Sequence, residues 1–169
     1  TTELVLEVED ARLWDVDHPH LYMLTTTLLR DGEALDTQTT RFGFRTFNFT
    51  ADDGFHLNGR RVQLYGVNNH HDLGPLGGAF NKRAARRQVE IMKEMGVNAL
   101  RTAHNPPAPE VLDLCDEMGI LVWDEVFDKY AWTAGRPDLE PPLEEFARRQ
   151  IEATIRRDFN HPSIVVWST

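Results

Sequence analysis

The chain of 169 residues holds a single cysteine, Cys115, so no internal disulfide can staple it. It is also short of positive charge: 18 Lys and Arg face 27 Asp and Glu, and 18 − 27 leaves a formal net charge of −9. Sequence-independent nucleic-acid binding needs basic surface to displace counterions, so that partner is excluded, and an anionic membrane surface is disfavoured for the same reason. No apolar run approaches the ~20 residues that span a bilayer. The opening Thr1-Thr2-Glu3-Leu4-Val5 has neither an initiator Met nor the basic start of a signal peptide, and it reads as the interior of a longer protein. One cysteine and no leader pattern favour the cytoplasm, although a piece without its own N-terminus leaves secretion open. Disorder is not expected, because apolar residues make up 41% and charged residues 27%, as in ordinary globular domains.

Several chemical signatures are missing as well. There is no Gly-x-Ser-x-Gly elbow to present a serine nucleophile. Leu73-Gly74-Pro75-Leu76-Gly77-Gly78 lacks the order and the Lys-Ser/Thr ending of a phosphate loop, and its glycines predict a mobile loop instead. His70, His71, Asp72, His104, Asp124 and Glu125 are metal-ligand types, yet no His-x-His or HExxH spacing occurs among them. No cofactor is expected from these residues.

The acidity that remains is uneven. Residues 1–56 carry 11 acids against 4 bases, net −7, and residues 57–169 carry 16 against 14, net −2. The first part reads as β structure. Leu4, Leu6 and Val8 recur with period two, Leu21 to Leu29 and Thr37 to Phe49 have strand composition, and Asp31-Gly32 between them signals a turn. This pattern predicts the end of a sandwich domain, residues 1–52, with a linker near Thr50 to Gly54. A second hairpin is predicted around Asn58-Gly59.

From residue 53 onwards strands and helices alternate. Apolar strands are predicted at Val62–Val67, Val97–Thr102, Ile120–Trp123 and Ile164–Trp167. The first helix runs from an Asn81 N-cap to Gly96, the second from Pro109 to Gly119, and the third from about Leu143 to Phe159 ahead of Pro162. Alternation of this kind means a parallel sheet with right-handed crossovers, either half of an eightfold barrel or a small open sheet.

Parallel α/β folds do their chemistry beyond the carboxyl ends of the strands. Asn68-Asn69-His70-His71-Asp72 follows the first strand, Arg101-Thr102-Ala103-His104-Asn105 the second, and Asp124-Glu125 the third. Each group alone has a structural explanation: Arg101 and Glu125 can form an ion pair, and a lone His is commonly a satisfied surface or core residue. Strand alternation sends Asp124 and Glu125 to opposite faces, so at most one points inward. Gathering polar groups at one end of three strands is not required for stability, and this favours a functional site. Trp132, in a polar loop, offers a flat apolar face suited to a sugar ring.

In order along the chain, these motifs resemble glycoside hydrolase family 2. Leu13-Trp14-Asp15, His18-Pro19-His20-Leu21-Tyr22 and Arg41-Phe42-Gly43-Phe44-Arg45 are similar to its immunoglobulin-like domain. Gly66-Val67-Asn68-Asn69-His70, Arg101-Thr102-Ala103-His104-Asn105-Pro106-Pro107, Val122-Trp123-Asp124-Glu125 and Asn160-His161-Pro162-Ser163-Ile164-Val165-Val166-Trp167-Ser168 resemble its barrel. The resemblance implies the first half of a (β/α)8 TIM barrel over residues 53–169, preceded by part of an all-β immunoglobulin-like sandwich over residues 1–52. It also implies retaining hydrolysis of a β-linked oligosaccharide or glycoside by two carboxylates ~5–5.5 Å apart. In the family the acid/base glutamate belongs to a Trp-Ser-x-Gly-Asn-Glu segment and the nucleophile to a later strand, so neither is expected within Thr1–Thr169 and the isolated piece is expected to be inactive.

The resemblance leaves supporting roles here. His70 and His104 match histidines that contact substrate, Arg101 matches a site arginine that holds a carboxylate, Asp124 is expected to reach sugar hydroxyls, and Glu125 to orient other groups. Magnesium-dependent galactosidases carry Glu-x-His after the third strand, a pair that Val126 to Ala131 does not offer. A divalent metal in the longer protein is therefore not supported by these residues. The motifs look more like those of a β-galactosidase than of a β-glucuronidase or β-mannosidase. A homo-oligomeric longer protein is allowed. The alternative is a non-enzymatic carbohydrate-binding or assembly module, which would leave two sheet edges and an apolar face uncovered.

Overall fold

The computed structural model describes residues 3–128 and 143–169. Within them, β1 (Tyr22–Arg30) and β2 (Glu33–Phe42) form a two-stranded antiparallel ribbon. Its turn residues Asp31 (φ 52°) and Gly32 (φ 87°) both take the left-handed conformation that matches the twist of a tight hairpin. The alternating stretch Leu4–Val8 is not a strand. It pairs with nothing among the described residues, and Leu4 and Val5 stay 77% and 83% exposed; an alternating pattern becomes a strand only when a neighbour completes the hydrogen-bond ladder.

The expected linker is itself a turn. β3 (Phe47–Thr50), β4 (Gly54–Leu57) and β5 (Arg60–Arg61) make one antiparallel sheet, with Thr50 opposite Gly54 and the Asn58-Gly59 turn, φ 51° and 76°, joining β4 to β5.

The rest is a singly wound parallel sheet in the order β6 (Gly66–His70), β7 (Ala99–Ala103), β8 (Leu121–Glu125), β9 (Ile164–Ser168). Strand neighbours in space are neighbours in sequence, so this is the wall of a partial (β/α)8 barrel. Between the strands lie α1 (Lys82–Glu94), α2 (Pro109–Met118) and α3 (Leu143–Asp158). The first strand begins four residues later than its apolar pattern, from Val62, suggests. The backbone of Gln63 and Tyr65 is diverted to the Asn98 side chain: Asn98 Nδ2 donates to the Gln63 carbonyl at 2.9 Å, and Tyr65 N–H donates to Asn98 Oδ1 at 2.8 Å. Laddering then starts at Gly66, opposite Ala99, and runs on to His70, opposite Ala103.

The helix ends follow local chemistry. Asn81 Oδ1 accepts from Ala84 N–H at 3.0 Å, capping α1. Pro109 opens α2, whose missing N–H costs nothing there, and Gly119 closes it at φ 68°.

Two cores result from strand alternation. Leu100, Val122 and Ile164 face the helices and pack with Ala85, Val89, Leu112 and Cys115. Leu121 and Val165 face the other way, and pack with Trp14, Phe55 and Leu57 from the N-terminal part. Fully burying each leucine contributes roughly 1.5–3 kcal/mol. The two parts are also pinned by polar contacts. Trp14 Nε1 donates to the Asp116 carbonyl at 2.8 Å, Arg45 donates to the carbonyls of Pro162 and Ile164 at 2.6 Å each, and Arg41 grips Asp113 and Glu117 of α2. Among the described residues no helix is long and apolar enough to cross a membrane.

Candidate functional site

Alternation along parallel strands in register brings Asn68 and His70 of β6, Arg101 of β7 and Glu125 of β8 to the sheet face opposite the helices, near its carboxyl edge. His104 follows directly after β7. Arg101 is the hub: its Nε donates to Glu125 Oε1 at 2.7 Å, its Nη1 to Asn68 Oδ1 at 3.2 Å, and its Nη2 lies 3.1 Å from His104 Nδ1. His104 Nδ1 also meets Glu125 Oε2 at 3.0 Å. The His70 ring sits edge-on to that of His104, with centroids 5.2 Å apart at 86°.

Donor and acceptor types decide how the cluster works. Glu125 is acceptor-only and takes the arginine fork on one oxygen, so its second oxygen is free to hold His104 through Nδ1–H; the Arg101 Nη2 approach to Nδ1 is then a contact of two donors that share Glu125, not a hydrogen bond. That contact leaves His104 Nε2 to exchange a hydrogen bond with a bound group. Glu125 itself is nearly enclosed, its side chain 9% exposed, while those of Arg101 and His104 are 33% and 36% exposed. The carboxylate thus anchors from behind and the cation and imidazole present themselves. Behind it, Thr102 Oγ1 accepts from the Glu125 backbone N–H at 2.9 Å and fixes the end of β8 against β7.

Asp124 does not join this cluster. One residue earlier on the strand, it points into the helix layer and is fully buried, so it cannot reach a sugar hydroxyl from the open face. There Thr102 Oγ1 donates to Asp124 Oδ1 at 3.3 Å, and Asp158 of α3 adjoins it. Burial, then the charge of Asp158, push the Asp124 carboxyl up to about 7. Arg157 holds Asp158 through both oxygens, at 2.6 and 2.7 Å. His71 also turns away, stacking on Phe80 at 6.2 Å. Trp132 lies outside the described residues.

Asn68 and Thr102 were visible in the sequence as polar neighbours of the strand ends, but nothing there assigned them a role. Only register shows that one steadies Arg101 and the other the Glu125 backbone. The role of Asn160-His161-Pro162 was equally hidden. His161 Nδ1 meets Asp116 Oδ2 at 2.6 Å, and Ser163 N–H donates to Asp116 Oδ1 at 3.2 Å. Burial works against a charge on His161, but the hydrogen bond and charge of Asp116, with Asp158 and Asp113 behind, outweigh it and raise its pKa.

Asp113, Asp116 and His161 are the one trio of possible metal ligands among the described residues. Arg41 already holds Asp113, while His161 and Ser163 hold Asp116, so the group fits a cross-domain clamp and not an ion cage. It also lies by the end of α2, which runs antiparallel to the strands, and hence on the side away from Arg101 and Glu125.

Comparison with known proteins extends along the whole chain. Residues 50–169 match a family model described as glycosyl hydrolases family 2, TIM barrel domain, and residues 1–45 match one described as glycosyl hydrolases family 2. A β-galactosidase of Bacteroides ovatus (BoGH2A) is 48% identical over 96% of this chain and 19% of its own length. A β-glucuronidase of Bacteroides fragilis is 35% identical over 98% of the chain and 24% of its own length. The crystal structure of a β-glycosidase from Bacteroides vulgatus superposes with a TM-score of 0.87 at 37% identity, covering 94% of this chain and 21% of that one. The chain therefore spans about a fifth of the length of the curated relatives it matches.

Proposed function

The chain belongs to glycosyl hydrolase family 2, and from that premise we propose that it is the part of a retaining β-glycosidase that supports the catalytic carboxylates and binds the sugar. The observation that carries this reading is the Arg101–Glu125–His104–His70 cluster at the carboxyl edge of the parallel sheet. In such a site Arg101, permanently charged, favours the ionised form of a neighbouring nucleophilic carboxylate. His104, oriented by Glu125, offers Nε2 to a sugar hydroxyl whose hydrogen bond strengthens as positive charge develops on the ring. The acid/base and nucleophilic glutamates are assigned to other parts of the longer protein. Glu125 is not proposed as either, since both of its oxygens are engaged by Arg101 and His104.

Within the family we favour a β-galactosidase. The Bacteroides ovatus relative named as one, and the galactosidase-like Asn68-to-Gly74 and His104-to-Pro107 segments, support that choice. β-Glucuronidases among the relatives make a glucuronide the competing substrate. The test is hydrolysis of nitrophenyl β-galactoside and nitrophenyl β-glucuronide by the full-length protein. Turnover of the galactoside in preference is expected; preference for the glucuronide overturns the sugar assignment, and turnover of no β-glycoside overturns the activity. His104→Ala should lower kcat by about 10²–10³-fold, as for loss of one oriented transition-state donor, and an unchanged rate would remove His104 from the site.

A further inference from the structure

Behind the site, on the helix side of the sheet, lies a buried pair of carboxyl groups that the proposed chemistry does not use. Asp124 and Asp158 are both 0% exposed and adjoin one another. Asp124 Oδ1 accepts from the Thr102 hydroxyl, whereas Asp124 Oδ2 is enclosed and finds no donor among the described residues. An ionised carboxylate has only acceptors, and so does its neighbour, so two anions here would face each other lone pair to lone pair. Arg157 relieves this only in part: its charge favours the ionised form of Asp124, but its fork is spent on both oxygens of Asp158. Among the described residues the groups facing Asp124 are thus Thr102 from β7, and Asp158 and Arg157 from α3; His161, ahead of β9, is engaged with Asp116. A proton on Asp124 satisfies every atom at once, because Oδ2 becomes a donor to the carboxylate that Arg157 already neutralises.

We propose that Asp124 is a positioning residue that keeps its proton from mildly acid pH up to about neutrality and hydrogen-bonds through it to Asp158, fastening the carboxyl end of β8 to the end of α3. The chain of contacts runs Arg157, Asp158, Asp124, Thr102 and the backbone N–H of Glu125. It therefore sets the height of Glu125, and through it the orientation of Arg101 and His104, without touching substrate. Its effect on turnover rests on the glycosidase reading, but its protonation does not.

The test uses the full-length protein and two substitutions. Asp124→Asn keeps the shape, accepts from Thr102 and donates an amide N–H to Asp158 at every pH. Asp124→Ala removes both contacts. Thermal midpoints are measured from about pH 5 to about pH 8. Between about pH 5 and about pH 7 wild type holds up to one proton more folded than unfolded, so its folded-to-unfolded ratio should fall by up to about tenfold per pH unit relative to Asp124→Asn there, and the difference should level off towards about pH 8 as the folded carboxyl ionises. Parallel profiles overturn the proposal. In turnover, Asp124→Ala should lower kcat about tenfold, as for one lost hydrogen bond, with KM little changed, and Asp124→Asn should restore most of it. Equal loss in both variants also overturns it, since charge and not the donor would then be required. Should Asp124→Ala fail to fold, the midpoint profiles of wild type and Asp124→Asn decide alone. Absence of β-glycoside turnover in wild type would refute the proposed function and leave the protonation result standing.

Discussion

Gly96 and Gly119 both end helices in the left-handed conformation, at φ 83° and φ 68°, and local chemistry treats them alike. Replacing either with Ala forces an L side chain into that region at about 1–2 kcal/mol. Their surroundings differ. A Cβ on Gly96 meets nothing within 4 Å, whereas one on Gly119 would sit 2.3 Å from the Val16 carbonyl oxygen and 2.8 Å from its carbon. That obstacle is backbone, held in place by the burial of Trp14 and Val16, so it cannot swing aside as a side-chain tip would. Overpacking of this kind costs a further ~1–3 kcal/mol. Gly96→Ala should therefore destabilise by about 1–2 kcal/mol, and Gly119→Ala by about 2–5 kcal/mol. The difference is equivalent to a fivefold to hundredfold change in the unfolding equilibrium, to order of magnitude. Urea titration followed by tryptophan fluorescence reads both variants against wild type. Equal losses at the two positions would refute the close approach of residues 14–16 to the end of α2, and with it the docking of the N-terminal part on the barrel wall.

Other expected outcomes test the caps, the site and the clamp. Asn81→Ala should cost about 1 kcal/mol through the lost Ala84 N–H partner, while Asn81→Ser should recover most of it in the same urea titration. Arg101→Lys keeps the charge but cannot reach Glu125 and Asn68 together as the guanidinium does. In the full-length protein it should reduce kcat/KM by about 10–100-fold, the worth of one or two charge-assisted hydrogen bonds; wild-type kinetics would show that charge alone suffices. His161 has a folded pKa above its unfolded value, so its stabilisation is full below about pH 6.5 and is lost as pH rises through the raised value. The gap in thermal midpoint between wild type and His161→Gln should accordingly narrow from acid to alkaline pH, and a gap that widens would contradict the Asp116 pairing.

The legible features share one property: they are written in neighbouring residues. The Asp31-Gly32 and Asn58-Gly59 turns, the Asn81 cap and the Pro109 start each follow from a side chain acting on its own backbone within a few positions. The strand ends that carry His70, Arg101, His104 and Glu125 were legible for a related reason, because parallel alternation puts polar residues after apolar runs. Expectations failed where a distant partner intervened. Leu4–Val8 lacks a strand beside it, while Val62 is drawn to the Phe55 carbonyl and Gln63 and Tyr65 to the Asn98 side chain. Alternation allows only one of Asp124 and Glu125 on the open face, and the resemblance alone does not say that it is Glu125 and not Asp124. Which of the two turns inward depends on the phase of β8 against β7, a quantity no local window contains.

By itself, then, the sequence determined the order of elements, the family and the polar edge on which the site is built, since each rests on local geometry or on motifs read in line. Tertiary structure alone decided that Glu125 holds Arg101 and His104, that Asp124 and Asp158 are shut together behind them, and that His161 closes on Asp116 across 45 residues of chain. Those partners are far apart in sequence, and only the register of parallel strands and the packing of α2 and α3 bring their charges within hydrogen-bonding distance.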